Sequence, residues 1–346
     1  MSMKKIMAVI AIAGLALGGL TACSGGSSGD GDGKKLVLYS SMTENDLNVL
    51  TGLLENEFPG ISIEIVNGSA GELTARIKSE SGNPQGDMMW GGLDISNGDA
   101  HKDIFEHWVS KYEESVQPQY KSPNGFYNVD HLSTVAFAVN KNLEKELGLN
   151  IKGYADLLDP KLKGKITMAD PASSSSAWNN ISNIMSVYGN GSDESYKYIE
   201  KLLENELVIA PSSSIPFTAV ADGEYVVGMT YEDGIASLLK AGTDNIRMVY
   251  PAEGTSATAF ATAVIKGAPH ADVAKEVINY IMSPKGQVAF AEAVGTVRVT
   301  TSESYKSKYL PASDTIKWVK RDVDWLTKHR DEVIEKWTAL FTAHKK

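Results

Sequence analysis

Apolar residues recur along this chain in two rhythms, and the order in which they alternate predicts most of its elements. Lys35 to Tyr39 is a short apolar run that ends at Ser40-Ser41, and Thr43, Glu44 and Asp46 then open a helical pattern with Leu47, Leu50, Leu53 and Leu54 on one face. Gly60 to Val66 alternates Ile61, Ile63 and Ile65 before a turn at Asn67-Gly68-Ser69-Ala70-Gly71, and Glu72 to Ser79 is helical again. Asp87 to Trp90 reads as a third, buried strand entering Gly91-Gly92. Repeated strand–helix units imply a parallel sheet with helices on its faces.

A second series follows. Val135 to Val139, Gly164 to Ala169, Leu207 to Ala210, Tyr225 to Thr230, Ile246 to Tyr250 and Phe260 to Ile265 read as strands. Trp178 to Tyr188 and Asp193 to Asn205 read as helices, as do Pro269 to Met282 and Pro284 to Ala293. Thr315 to His344 has the stripe of an amphipathic helical tail, with Trp318, Trp325, Val333 and Trp337 on its apolar side. Two strand series without a Pro- or Gly-rich linker between them point to two α/β units joined by more than one chain crossing.

The first residues follow another rule. Lys4 and Lys5 precede an apolar run from Ile6 to Leu20, and the small residues Thr21 and Ala22 stand before Cys23, the only cysteine. That is the layout of a secretory signal, too short for a stable span. Leu20-Thr21-Ala22-Cys23 resembles the bacterial lipobox, which implies cleavage before Cys23 and a lipid on it. Ser24 to Gly33 holds only Ser, Gly and Asp, the composition of a flexible tether. Gly25 to Gly29 also fits a nucleophile-elbow pattern, but no strand precedes it.

Composition narrows the function classes. The 346 residues carry 33 Lys and Arg against 43 Asp and Glu, a formal charge of −10, which disfavours nucleic acid and anionic membrane surfaces. One cysteine excludes a disulfide framework and a thiolate zinc site. None of the six histidines sits in a metalloprotease helix motif or beside a nucleophile motif, and no phosphate-binding glycine loop is present. Glu232 and Asp233 can be read as a paired acid and base or as hydrogen-bonding carboxylates at a strand end. No cofactor, metal ligand set or catalytic residue is expected.

Strands repeatedly finish in Ser, Gly or Thr clusters that precede a helix: Ser40-Ser41, Gly68-Ser69, Ser173 to Ser176 and Ser212 to Ser214. In open parallel sheets, ligands bind beyond these strand ends, where helix N-termini offer free N–H groups to anions. The same hydroxyls also cap helices, and each cluster taken alone fits that use as well.

The lipobox, the tether and the string Leu36 to Ser41 together resemble the start of bacterial ABC-importer solute-binding lipoproteins of the ferric-iron, hexose-phosphate and phosphonate type. The resemblance continues through Gly86 to Gly92, Ala169 to Ser173, Ala221 to Glu232 and Ala271 to Phe290, with Ser283-Pro284-Lys285-Gly286-Gln287. It implies an α/β type II periplasmic-binding fold: two lobes, crossing strands between them, a ligand cleft and a helical C-terminus. On this reading residues 1–22 are the signal peptide and 23–34 the lipid-anchored tether. The first lobe is 35–137 plus 260–300, and the second, with the C-terminal helices, is 138–259 plus 301–346.

The resemblance further implies a monomeric receptor, not an enzyme, held at the extracellular face of the membrane only by lipid on Cys23. It would capture a small anionic solute by lobe closure and pass it to permease subunits driven by an ATPase. The expected ligand residues are Ser40, Ser41, Ser69, Trp90 and Gly91 in the first lobe. In the second they are Ser173, Ser174, Ser175, Ser176, Ser213, Tyr231 and Glu232. Ferric binders of the family commonly use adjacent tyrosines, whereas here Tyr231 adjoins Glu232. The pattern resembles hexose-phosphate and phosphonate binders, in which the acid would accept sugar hydroxyls, the serines would hold phosphate and Trp90 would stack on a sugar face. Ferric-iron transport is the alternative, and a secreted lipid-anchored hydrolase or lyase using Glu232 or His131 is a second.

Overall fold

The computed structural model describes residues 34–94, 101–122, 124–300 and 307–345. The signal segment, Cys23 and all but the last residue of the expected tether lie outside the described residues.

The first strand–helix series forms as its pattern predicts: β1 (Lys35–Ser40), α1 (Glu44–Glu57), β2 (Ser62–Asn67), α2 (Ala70–Ser79) and β3 (Met88–Asp94). Thr43 caps α1 by accepting a hydrogen bond from the Asp46 N–H, and Ser69 and Glu72 cap α2 reciprocally. β1 pairs in parallel with β2 and β3, and its side chains alternate between two cores. Leu36 and Leu38 pack with Leu47, Leu50 and Leu54 of α1, whereas Val37 and Tyr39 pack with Leu73 and Ile77 of α2. Burial on both faces explains why β1 reads as an unbroken apolar run.

β4 (Asn128–Asn140) is longer than the apolar run Val135 to Val139 indicates. Its first half carries Asn128, Asp130, His131, Ser133 and Thr134, whose polarity hid the strand, although all but Ser133 are buried. Then come α3 (Lys141–Glu146), β5 (Ile166–Ala169), α4 (Ser175–Tyr188), α5 (Asp193–Glu204), β6 (Val208–Ala210), α6 (Ile215–Ala221), β7 (Val227–Tyr231) and α7 (Glu232–Lys240). The chain returns through β8 (Ile246–Val249) and β9 (Ala257–Val264) to α8 (Ala271–Met282), α9 (Pro284–Val294) and β10 (Arg298–Val299).

The strands form one sheet in the order β2-β1-β3-β9-β4-β7-β5-β6, with β8 and β10 also on β4. β4 changes partners along its length. Asn128 to Thr134 pairs with β9 and, at His131 and Leu132, with β10, whereas Val135 to Asn140 pairs with β7 and β8. The parallel strands β1 and β3 therefore lie on one side of this joint and β5 to β7 on the other. In the second half Phe137 and Val139 pack with Ile181, Ile184 and Met185 of α4, and Ala136 and Ala138 with Phe217 and Ile235.

The tail corrects the expectation of one helix from Thr315 to His344. Residues 316–322 run as an extended strap in which Lys317 O accepts from Thr255 N (2.9 Å) and Val319 N donates to Thr255 O (2.8 Å). Pairing with the backbone just before β9 satisfies the polar groups that a helix would have satisfied. Asp322 then caps α10 (Val323–Lys328), and α11 (Arg330–His344) packs Val333 and Trp337 into the second core.

Candidate functional site

The expected first-lobe residues meet where β1, β2 and β3 end. Ser40 is fully buried, and its hydroxyl donates to Trp90 O and accepts from Met42 N, so it shapes the turn. Ser41 N donates to Trp90 O, and Asn67 Nδ2 donates to the carbonyls of Ser40 and Met42. Gly91 and Gly92 hold φ values of +80° and +73° at an irregularity of β3. A Cβ on Gly92 would lie 2.5 Å from Ala70 Cβ and 2.6 Å from Ser41 Oγ, so this approach of three segments needs glycine.

Like Ser40, two further residues are used differently from expectation. Ser69 is committed to the α2 cap through Glu72. Trp90 is 1% exposed, donates its indole N–H to Asp130 at 2.8 Å and packs edge-on against Phe290, so its ring is core and offers no open face to a sugar.

On the other side of the joint, Ser174 caps α4 through the Ala177 N–H, and its hydroxyl lies 3.1 Å from that of Ser176. Ser173 and Ser175 are exposed around them, and Ser213 is half-buried before α6. Asn180 Nδ2 ties Ser176 O to Thr230 O, which fixes the start of α4 against the end of β7. Tyr231 closes β7 edge-on to Phe217, and burial pushes its phenol up.

The two sides converge on β4. Asp233, in the first turn of α7, accepts a 3.4 Å bond from Ser133 Oγ. His131 Nδ1 lies 3.1 Å from Asp130 Oδ2, and its ring stacks on Phe260. Burial alone would lower the His131 pKa, but Asp130, Asp233 and Asp46 together outweigh it and raise the value. Burial, with Glu232 next in the chain, pushes Asp233 up to about 7.

Glu232 is not an open acceptor. It is fully buried and grips Arg298 of β10 twice, Nε to Oε1 at 2.9 Å and Nη2 to Oε2 at 3.0 Å, while the Tyr250 hydroxyl donates to Oε2 at 2.6 Å. The expectation that Glu232 takes ligand hydroxyls therefore gives way to a buried ion pair across the joint.

Arg298 in turn lines a cavity of about 770 Å³ against the crossing strands. Leu132 of β4, Ser256 to Ala259 and Val299 form one wall, Gln117, Pro118 and Tyr120 flank it, and the strap with Ser313, Trp318, Lys320 and Arg321 closes it. None of the twelve expected ligand residues lines it. Arg321 sits where the cavity meets the second half, with Nη1 3.0 Å from Thr258 Oγ1 and 3.4 Å from Asn179 Oδ1 on α4. Three cations and no carboxylate are among its described lining residues. Volume and lining suit a small polar anion. Sequence reasoning missed Arg298, Lys320 and Arg321 because they lie far from the Ser-rich strand ends, Lys320 and Arg321 in a stretch read as helix and Arg298 in one assigned no element. A basic cluster in so acidic a chain was the signal available.

Comparison with known proteins agrees with this architecture. The family profile described as bacterial extracellular solute-binding protein matches residues 54–318. The periplasmic binding protein AfuA from Actinobacillus pleuropneumoniae, solved with exogenous fructose-6-phosphate bound, superposes with a TM-score of 0.76 at 26% identity, covering 89% of this chain and 99% of that one. Iron uptake protein A1 of Synechocystis is 27% identical over 278 residues, 76% of this chain and 75% of that protein. A putative 2-aminoethylphosphonate-binding periplasmic protein of Salmonella typhi is 23% identical over 239 residues, 67% and 68% of the two chains. The homologues are binding proteins, so the hydrolase or lyase alternative falls. The fold is that of periplasmic binding proteins, and the family supplies ABC importers with the component that takes up a small solute outside the cytoplasm and presents it to a permease. The chain belongs to the bacterial extracellular solute-binding proteins and is a receptor of an ABC importer, not an enzyme.

Proposed function

We propose that the solute is a small, phosphorylated or phosphonate-type anion, held in the cavity between the crossing strands and the strap. The observation that carries this reading is the lining: Arg298, Lys320 and Arg321 with Ser256, Thr258 and Ser313, beside the aromatic faces of Trp318 and Tyr120. Arg298 is already paired with Glu232, and Lys320 and Arg321 are the other two cations of the lining. Guanidinium and hydroxyl donors match phosphate oxygens, and an aromatic face suits a sugar or alkyl body. Relatives that bind fructose-6-phosphate or are named for 2-aminoethylphosphonate support the ligand class.

The lobes in this reading are 35–137 plus 260–300 and 138–259 plus 301–346, with their crossing in β4 close to the change of partners between Thr134 and Val135. Ser41, Gly91, Ser174 to Ser176, Ser213 and Tyr231 are then secondary donors, brought toward the solute when the lobes close. Closure requires that the solute bond to both halves, because only differential affinity shifts an open–closed equilibrium. Arg321, which already touches β9 and α4, is placed to report it. The mature chain is a monomer tethered by lipid on Cys23.

A thermal-shift panel tests the ligand class. Fructose-6-phosphate or 2-aminoethylphosphonate should raise the melting temperature, the linkage stabilising the fold by about 2.7 kcal/mol at a hundredfold excess over Kd. A shift with ferric iron and none with either anion would transfer the assignment to the iron-binding alternative.

A further inference from the structure

Arg298 uses nearly all its donors on the protein. Besides Glu232, Nη1 donates to Ser313 Oγ (2.6 Å) and Nη2 to Pro311 O (3.1 Å), and the guanidinium lies 5.8 Å from the centroid of the Trp318 ring. Trp318 Nε1 donates back to Ser313 O at 2.8 Å. The strap and the segment leading into it are thus fastened at two points, at Arg298 through Pro311, Ser313 and Trp318, and at Thr255 through Lys317 and Val319. Behind Arg298 stand Glu232 and Tyr250, out of the cavity.

We propose that Glu232 is a positioning residue: by fixing the plane of the Arg298 guanidinium it holds the strap in register against Thr255 and so sets the wall that carries Lys320 and Arg321. A planar fork is required for this task. It must meet a carboxylate on one edge and a hydroxyl and a carbonyl on the other, which the single ammonium of lysine cannot do at once. Because Glu232 opens α7, directly after β7, and Arg298 belongs to β10 on the other half of β4, the strap's position depends on both halves of the sheet. The consequence for affinity rests on the cavity being the solute site; the consequence for the strap does not.

Hydrogen exchange on the full chain without ligand separates the two. The Thr255 and Val319 amides, which bond the strap to the crossing strand, should exchange about tenfold faster or more in Glu232→Gln, while the Leu50 and Leu54 amides of α1 stay protected. Ser313→Ala, which leaves the buried pair intact, should shift the same two amides in the same direction by less. It keeps the test valid if the first variant folds poorly. Unchanged exchange at Thr255 and Val319 in both variants would overturn the proposal. Fructose-6-phosphate titrated into the same variants reads the second link: looser strap with weaker binding supports the whole chain of argument, and looser strap with unchanged binding supports the positioning role while removing the cavity as the solute site.

Discussion

The indole N–H of Trp90 donates to Asp130 at 2.8 Å, and the two side chains are 1% and 5% exposed. This bond makes Trp90 part of the support under the crossing strands, since Asp130 also orients His131. Asp130 Oδ1 is buried without a hydrogen-bond partner among the described residues, so the loss of the indole leaves the carboxylate poorly satisfied. Trp90→Phe should cost ~1–3 kcal/mol in urea unfolding and change solute affinity by less than about twofold. A large loss of affinity with unchanged stability would restore Trp90 as a ligand contact.

The Glu232–Arg298 pair predicts a specific pattern of non-additivity. Arg298→Met alone leaves a buried carboxylate unpaired and should destabilise the protein by ~3–5 kcal/mol, whereas Arg298→Met with Glu232→Leu should recover most of that loss. Denaturant unfolding of the two single variants and the double variant measures the coupling. Additive costs would mean that the two groups do not act as a unit.

The acidic groups at the joint predict how stability varies with pH. Asp233 binds its proton more tightly in the fold, with a value near 7, than in the unfolded chain, so ionising it opposes folding. His131 is raised as well, and its favourable contribution is present below its unfolded value and lost as pH rises through the folded one. Both groups make stability fall as pH rises, Asp233 from about 4 to about 7 and His131 from its unfolded value upward, with a limiting slope of about 1.4 kcal/mol per pH unit for one proton. Asp233→Asn should flatten the acidic part of that window and also lessen the part above the ordinary histidine range, because Asp233 is one of the carboxylates that raise His131. Melting curves across pH check the sign, and a rise in stability over the same window would contradict it.

Gly92 and Gly52 make a matched contrast. Gly92→Ala forces a Cβ against Ala70 and Ser41 at φ +73° and should cost ~1–3 kcal/mol. Gly52 lies in α1 with nothing within 4 Å of an added Cβ, so Gly52→Ala should stabilise by about 0.5–1 kcal/mol. Opposite shifts in melting temperature are the expected readout.

Much of the architecture was legible because burial on both faces turns strands such as β1 and β5 into plain apolar runs, and because Ser69 and Thr43 mark helix starts. The joint was less legible. Asp130, His131 and Thr134 are polar residues in a buried strand: Asp130 accepts from the Trp90 indole and His131 stacks on Phe260, partners far away in sequence, and no local pattern announces that. Residues 316–322 look helical because Trp318, Val319 and Trp325 fall at helical spacing; pairing with Thr255 overrides the pattern. Glu232 was marked for its place at a strand end, but its role depends on Arg298, sixty-six positions later.

Calorimetric titration of fructose-6-phosphate and 2-aminoethylphosphonate into the wild-type chain, Arg321→Ala, Lys320→Ala and Ser175→Ala tests the cavity assignment most directly. At least one of the two anions should bind, with an affinity that falls with added salt. Arg321→Ala should weaken it by about tenfold or more, ~1.4 kcal/mol, with Lys320→Ala in the same direction, and Ser175→Ala should weaken it by less than about threefold. Binding that survives both cation removals but is abolished by Ser175→Ala would contradict the cavity assignment and place the solute at the strand ends instead.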